Sequence, residues 1–254
     1  MSNKTVYLVT GANRGIGLGL VSVLAARPDA IVFAGARDPA AQSLKDLAAK
    51  HPNLHPIKFV VNDKANNEEA IAEIKKTAGQ LDVVIPNAGV AKYVGPVSTT
   101  PPSEYRDHWE INTLGTIVLF QAAQELLLAS PTGAPIFAYI STGAGSISRY
   151  FSLQATPYGS SKAAANFIVK ALDAENPTLV VFAISPGWVA TDMGNPGAAA
   201  AGLSEAPISV AESVEGVLSR IDGATKEKSS GRFWNFKPTF GGMPWDLDQD
   251  EIPW

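Results

Sequence analysis

Apolar residues fall into two kinds of segment that alternate along the chain. Near-continuous runs rich in β-branched and aromatic residues occupy positions 5–10, 30–36, 57–61, 81–85, 135–140, 179–185 and 231–236. Such runs, lacking an in/out alternation, suit parallel strands covered on both faces. Between them, apolar positions recur at helical spacing over 16–26, 41–50, 67–77, 102–130, 158–174 and 210–222. The succession of strand and helix predicts an α/β fold with a doubly wound parallel sheet. No internal repeat and no linker rich in Ser, Pro and Gly divides the sequence, so residues 1–254 read as a single domain. Positions 193–207, rich in Gly, Ala and Pro, follow the sixth strand and read either as a surface loop or as a lid over a substrate. The tail 233–254 carries three of the five tryptophans and is expected to pack against the body.

Composition narrows the chemistry. A chain of 254 residues with 46% hydrophobic and 17% charged positions can bury one large core. A net charge of -4 without clustered like charges argues against nucleic acid or an anionic membrane surface as a partner. The first apolar run, 6–9, is too short for a signal segment, and no uninterrupted apolar stretch reaches the ~18 residues of a membrane helix, so a cytoplasmic location is expected. With no cysteine, thiolate nucleophiles, disulfides and cysteine-ligated metals drop out, which leaves hydroxyls, amines, carboxylates and three histidines. His51 and His55 share the spacing of a zinc helix, but Pro52 and Pro56 follow them, so no helix presents both and no metal is expected. His108 reads as a helix-surface or packing residue. A Gly-x-Ser-x-Gly nucleophile elbow is absent from the sequence.

The segment Thr10-Gly11-Ala12-Asn13-Arg14-Gly15-Ile16-Gly17 joins the first strand to the first helix. Gly11 permits a tight turn there, and Gly15 and Gly17 let the backbone and helix approach a pyrophosphate, whose charge the helix N-terminus attracts. A structural turn is the plain alternative. At the close of the second strand stands Gly35-Ala36-Arg37-Asp38, with alanine where an acidic ligand for a ribose 2′-hydroxyl would be expected. Arg37, with Arg14, could clamp a 2′-phosphate, which favours NADP(H) over NAD(H); Arg37 could otherwise pair with Asp38 or Asp46 on the surface. Together these features specify a Rossmann-type sheet.

Tyr158 and Lys162 lie four residues apart at the start of a predicted helix, behind Pro157, and so share one face. That spacing alone discriminates little. Its position decides more, because the pair follows the fifth strand, at the carboxyl ends of the strands, where open α/β sheets bind ligands.

Taken in order, these segments resemble the short-chain dehydrogenase/reductase family over residues 5–190. The matching pieces are the Thr10 to Gly17 loop, Asn87-Ala88-Gly89, residues 112–115, the turn Ser141-Thr142-Gly143-Ala144-Gly145, the Tyr158 and Lys162 pair, and Pro186-Gly187. Each alone is weak to moderate evidence; in this order and spacing they are specific. The glycine loop, Ser185-Pro186-Gly187-Trp188-Val189-Ala190-Thr191-Asp192-Met193 and Ile252-Pro253-Trp254 are similar to the sniffer-type carbonyl reductases and the fungal norsolorinic acid ketoreductases.

The resemblance implies NADPH-dependent reduction of a ketone, with Tyr158 donating its phenolic proton to the carbonyl oxygen. It assigns Lys162 to the nicotinamide ribose and to lowering the phenol pKa from about 10, where a drop of about 3 units needs roughly 4 kcal/mol. It further implies that Asn112 holds a water in the proton relay, that Asn87, Ala88 and Gly89 line the adenosine side, and that Val189 and Thr191 anchor the carboxamide beside Pro186 and Gly187. The family's catalytic serine falls at Thr142, with Ser141 one step earlier in reserve. Its acidic adenine contact falls at Val60 or Asn62, and Asp63 can serve only if the strand end is shifted. The segments 126–128 and 163–169 read as core or as the surface through which copies would form a homodimer or homotetramer.

Arg149, Tyr150 and Phe151 after the catalytic turn, with Trp188, Met193 and Leu203 near the lid, suggest an apolar, partly aromatic pocket for a small hydrophobic carbonyl compound such as an aromatic polyketide. A non-redox dinucleotide sensor or cyclase on the same fold would be expected to lose Tyr158 or Lys162, yet both persist with Asn112. Alcohol oxidation uses the same residues in reverse, and an NADPH cofactor favours reduction.

Overall fold

The computed structural model describes residues 4–150, 154–237 and 249–254. Seven strands, β1 (Thr5–Thr10), β2 (Ala30–Ala36), β3 (Leu54–Lys58), β4 (Val83–Ile85), β5 (Ile136–Ile140), β6 (Val180–Ser185) and β7 (Phe233–Asn235), form one sheet in the order β3-β2-β1-β4-β5-β6-β7. Every pairing is parallel. The chain winds outward from β1 in one direction and returns beyond it through β4 in the other, so the order reverses between β1 and β4, where such sheets leave a crevice at their carboxyl edge.

Successive strand residues point to opposite faces, and each face is covered by helices. On one side Tyr7, Val9, Val32 and Ala34 pack with Leu20 and Leu24 of α1 (Gly15–Ala25) and with Val214, Val217 and Ile221 of α8 (Val210–Asp222). On the other, Val6, Leu8 and Phe33 meet Ile71 and Ile74 of α3 (Lys64–Ala78), Leu119 and Leu127 of α5 (Gly115–Leu128), and Ala165 and Val169 of α6 (Thr156–Glu175). Helix α2 (Gln42–Ala48) adds Leu44 to the first layer. The short helices α7 (Asn195–Ala200) and α9 (Lys226–Ser229) were not expected from periodicity; α7 lies within 193–207, so the lid candidate is partly helical.

Two expected elements differ. The third strand lies three residues earlier than 57–61, because Pro56 sits within it, opposite Ala34, on the sheet edge where the missing N–H is tolerated. His55 stacks on Phe33 there, with ring centroids 5.1 Å apart. The helix expected over 102–130 is continuous only with an interruption: α4 (Pro102–Trp109) passes through a π turn at Glu110–Leu114 into α5. Together they form a stretch of 27 residues long and apolar enough to cross a membrane, but 56% of its most apolar window is buried inside the fold. His108 is fully buried, its Nε2 accepting from the Lys92 N–H at 3.0 Å, which makes it a packing residue. Of the tail, Ile252 is buried and the Trp254 ring stacks on Phe233 at 5.6 Å, while residues 238–248 lie outside the described ones.

Candidate active site

The loops after β1, β4, β5 and β6 converge at the carboxyl edge of the sheet. Gly11 turns with φ +66°, and a Cβ there would stand 2.9 Å from the Ala88 Cα; a Cβ on Gly17 would stand 2.3 Å from the Gly11 carbonyl oxygen. The glycine loop can therefore lie against Asn87 and Ala88 only without side chains. The contact is laced by hydrogen bonds: Thr10 Oγ1 accepts from the N–H groups of Asn87 and Ala88, both at 3.1 Å, and Asn87 Nδ2 donates to the Thr10 carbonyl at 2.9 Å. From the other side, Ser43 Oγ donates to the Asn13 carbonyl at 2.7 Å. Arg14 occupies the N-cap of α1 without a side-chain capping bond, and no acidic residue lies in the first turn, so the helix presents free N–H donors and a partial positive charge to the crevice.

Arg37 is exposed just beyond β2, and among the described residues no carboxylate pairs with it. The two competitors have other partners: Asp38 accepts from the Ala40 N–H at 2.9 Å, and Asp46 from Gln42 Nε2 at 2.7 Å. Arg14 pairs with Asp192 at 3.3 Å; with the two side chains 64% and 79% exposed, that pair is weak and easily exchanged for a phosphate. Asp63 lies beyond β3. The strand ends at Lys58, and Asp63 Oδ1 accepts from the Asn66 N–H at 3.1 Å as the N-cap of α3, so an adenine contact is not needed to explain it.

Tyr158 and Lys162 stand one turn apart on α6, whose first turn contains Pro157. Lys162 is 3% exposed; its Nζ donates to the Ile140 carbonyl at 2.7 Å, and burial lowers its pKa from 10.5 to about 7. Desolvation pushes the Tyr158 phenol up to about 12, and a hydrogen bond from the Thr142 side chain pulls in the opposite direction. Thr142 is half-buried at the N-cap of a 3-10 turn (Gly143–Gly145), its Oγ1 accepting from the Ala144 N–H at 3.2 Å. Ser141 points the other way. It is buried, and its Oγ donates to Asn166 Oδ1 at 2.7 Å inside α6, so the reserve candidate is a packing hydroxyl and Thr142 is the one that meets the phenol.

Asn112 sits in the π turn, 1% exposed. The Val90 N–H donates to its Oδ1 at 2.8 Å, and its Nδ2 donates to the Val90 carbonyl and to Ser161 Oγ, both at 2.9 Å. Its own carbonyl accepts from the hydroxyls of Tyr139 and Thr116, both at 3.1 Å, which engages both lone pairs. Through these bonds Asn112 ties the loop after β4 to α6. Gly89 lies in that loop against both groups, where a Cβ would be 3.1 Å from Asn112 Oδ1 and 3.6 Å from Lys162 Nζ.

After β6, Pro186 accepts from Ser213 Oγ at 2.8 Å and Gly187 turns with φ +83°. Val189 is buried, and Thr191 Oγ1 accepts from the Gly194 N–H at 3.1 Å while its methyl faces Gly15, so this turn borders the glycine loop. Ile16 packs on the first core layer. Sequence reasoning overlooked Tyr139, whose ring lies 4.6 Å from Lys162 Nζ, and the loop after β4, whose Gly95 N–H donates to the Gln154 carbonyl at 2.7 Å just before α6. The spaced apolar residues Val94 and Val97 were the available signal for that loop. Of the suggested pocket residues, Phe151 lies outside the described ones.

Comparison with known proteins agrees with this arrangement. The family model for short chain dehydrogenase matches residues 5–201. A norsolorinic acid ketoreductase of Dothistroma septosporum is 40% identical over 240 residues, covering 91% of this chain and 90% of that protein. Among solved structures, an NADPH-bound carbonyl reductase from chicken fatty liver is 32% identical with a TM-score of 0.81, covering 93% of this chain and 97% of the other. The carbonyl reductase Sniffer of D. melanogaster is 28% identical with a TM-score of 0.83, covering both chains fully at 100%.

Proposed function

The chain belongs to the short-chain dehydrogenase family, and from that premise we propose that it uses NADPH to reduce the carbonyl of a bulky, apolar ketone to a secondary alcohol. The observation that carries the reading is the trio at the carboxyl edge: the Tyr158 phenol with the Thr142 hydroxyl on it and the Lys162 amine one helical turn away, facing the glycine loop across the crevice.

The residues present fit the cofactor. The uncapped N-terminus of α1 suits the pyrophosphate, and Arg37, free of carboxylate partners among the described residues, suits a 2′-phosphate beside Ala36. The NADPH held by the chicken carbonyl reductase supports the same choice. Val189 and Thr191 border the nicotinamide end, and Lys162 is placed to hold the ribose hydroxyls. Bound NADPH supplies the hydride, which no side chain can.

Tyr158, with its pKa raised to about 12, keeps its proton throughout the neutral range and gives it to the carbonyl oxygen as negative charge develops there. Thr142 donates to the same oxygen and orients the ketone. The phenolate left behind is stabilised by the protonated amine of Lys162 and is then reprotonated from solvent. The same residues serve alcohol oxidation in reverse, and a cofactor supplied as NADPH favours reduction.

Specificity for an apolar substrate is supported by exposed side chains on the three loops around the trio: Val94 and Val97 after β4, Ile147 and Tyr150 after β5, and Met193 after β6. Exposed apolar side chains on the loops that leave the carboxyl edge of the sheet suit an apolar ligand. The norsolorinic acid ketoreductase likeness supports an aromatic polyketide or another secondary metabolite. Residues 193–207, with α7, are the candidate lid of this single domain, and the exposed Trp109, Leu128 and Phe167 on α4, α5 and α6 support a homodimer or homotetramer.

A screen of NADPH oxidation across ketone classes, run beside Tyr158→Phe, tests the proposal. Aryl and bulky alicyclic ketones should consume NADPH faster than small polar ones, and the phenylalanine variant should be inert. A preference for acetoacetyl-type substrates would overturn the substrate class, and turnover by Tyr158→Phe would overturn the mechanism.

A further inference from the structure

Lys162 is held from below by two consecutive residues of β5. Ile140 offers its carbonyl, and Tyr139 offers the face of its ring, with the ammonium nitrogen 4.6 Å from the centroid. Tyr139 is 1% exposed, so this contact lies in a dry interior where the negative face of an aromatic ring acts most strongly on a cation. A phenylalanine would provide the same face. What the hydroxyl adds is an anchor: it donates to the Asn112 carbonyl at 3.1 Å, within the π turn that itself grips the loop after β4 and the helix bearing Lys162. The ring is thereby fixed in rotation by a group 27 residues away in the chain.

We propose that Tyr139 is a positioning residue for carbonyl reduction, holding the Lys162 ammonium charged and in place with its ring face while its hydroxyl, bonded to Asn112, fixes the ring. The proposal rests on the reading of Lys162 as the cation that serves Tyr158. The titratable groups facing Lys162 are Tyr139 from β5 and Tyr158 from its own helix; Asn112 and Gly89, which approach from the π turn and the loop after β4, are uncharged. Neither phenol is ionised near neutrality, because burial raises both. The ring face and the Ile140 carbonyl are therefore what keeps a proton on an amine that burial would strip.

The test uses cofactor-free protein carrying 13C-labelled lysine, with the Lys162 Cε signal identified by its loss in Lys162→Arg and followed against pH. Tyr139→Leu, which removes the ring, should lower the Lys162 midpoint by about one pH unit, whereas Tyr139→Phe should leave it near the wild-type value. An unchanged midpoint in Tyr139→Leu overturns the proposal, and this result does not depend on any ketone being reduced. Kinetics supply the second arm. Tyr139→Phe, which preserves volume, should lower kcat about fivefold while the Lys162 midpoint stays near the wild-type value, because the ring keeps its face but is no longer fixed. A wild-type kcat in that variant overturns the part assigned to the hydroxyl.

Discussion

Lys162 should weaken the fold that carries it, and replacing it should reveal by how much. Burial moves its pKa from 10.5 to about 7, so below pH 7 the folded chain holds a charge at a cost of about 5 kcal/mol relative to the unfolded chain. Lys162→Met removes that cost, which is already net of the ring contact between the charged amine and Tyr139. It leaves the Ile140 carbonyl without its donor, roughly 1–2 kcal/mol. The methionine variant should therefore be inactive yet more stable by about 3–4 kcal/mol at pH 6.5, a rise of roughly 6–8 °C in Tm for a domain of this size. The pH dependence is the sharper signature. Because the folded pKa lies below the unfolded one, the unfolded chain binds the extra proton between about pH 7 and 10.5, and wild-type stability gains up to about 1.4 kcal/mol per pH unit there. The advantage of methionine should shrink steadily above pH 7 and vanish about two to three units higher. Denaturant unfolding of both cofactor-free proteins from pH 6.5 to 9.5 measures this. A methionine variant that is less stable at pH 6.5, with a difference that does not change with pH, would refute the reasoning.

Three other substitutions probe the site. Arg37→Ala should raise the KM for NADPH about 10- to 100-fold and leave that for NADH unchanged, and an unaltered cofactor preference would remove Arg37 from the 2′-phosphate site. Thr142→Ala should lower kcat about 100-fold with the fold intact. Ser141→Ala should retain kcat but lose about 1–3 kcal/mol of stability, because Asn166 Oδ1 is left buried without that donor. The opposite pattern in the last two would exchange their roles.

The central strands were legible because their residues obey only the local rule of a doubly covered strand: β1 and β2 begin and end where the apolar runs do, at Thr5–Thr10 and Ala30–Ala36. β3 was displaced because Pro56 looks like a strand breaker until its place on the sheet edge is known, and that place depends on strand order. The π turn at Glu110–Leu114 could not be read from a 3.6-residue period, since it inserts into an otherwise unbroken apolar pattern. In the site, the glycine loop stood out because a tight turn restricts residue type, while Asn87, Tyr158, Lys162 and the turn at Pro186 and Gly187 were legible through the order and spacing that resemble the family. The choice between Thr142 and Ser141 did not, because neighbouring residues at a strand end face opposite ways and only the position of Asn166 tells which faces inward. Asp63 was ambiguous for a similar reason, its role as the cap of α3 emerging once the strand end was placed at Lys58. Tyr139 was invisible, being one more aromatic residue in an apolar strand until its partners, Asn112 and Lys162, arrive from distant segments.

The central claim is that a hydride passes from NADPH to a carbonyl carbon as Tyr158 protonates the oxygen. Incubating the protein with an aryl ketone and NADPH deuterated on the transferred face of C4, then weighing the product alcohol by mass spectrometry, tests it most directly. The account predicts an alcohol one mass unit heavier in wild type and none in Tyr158→Phe; an alcohol without deuterium, or labelled alcohol formed equally well by the variant, would contradict it.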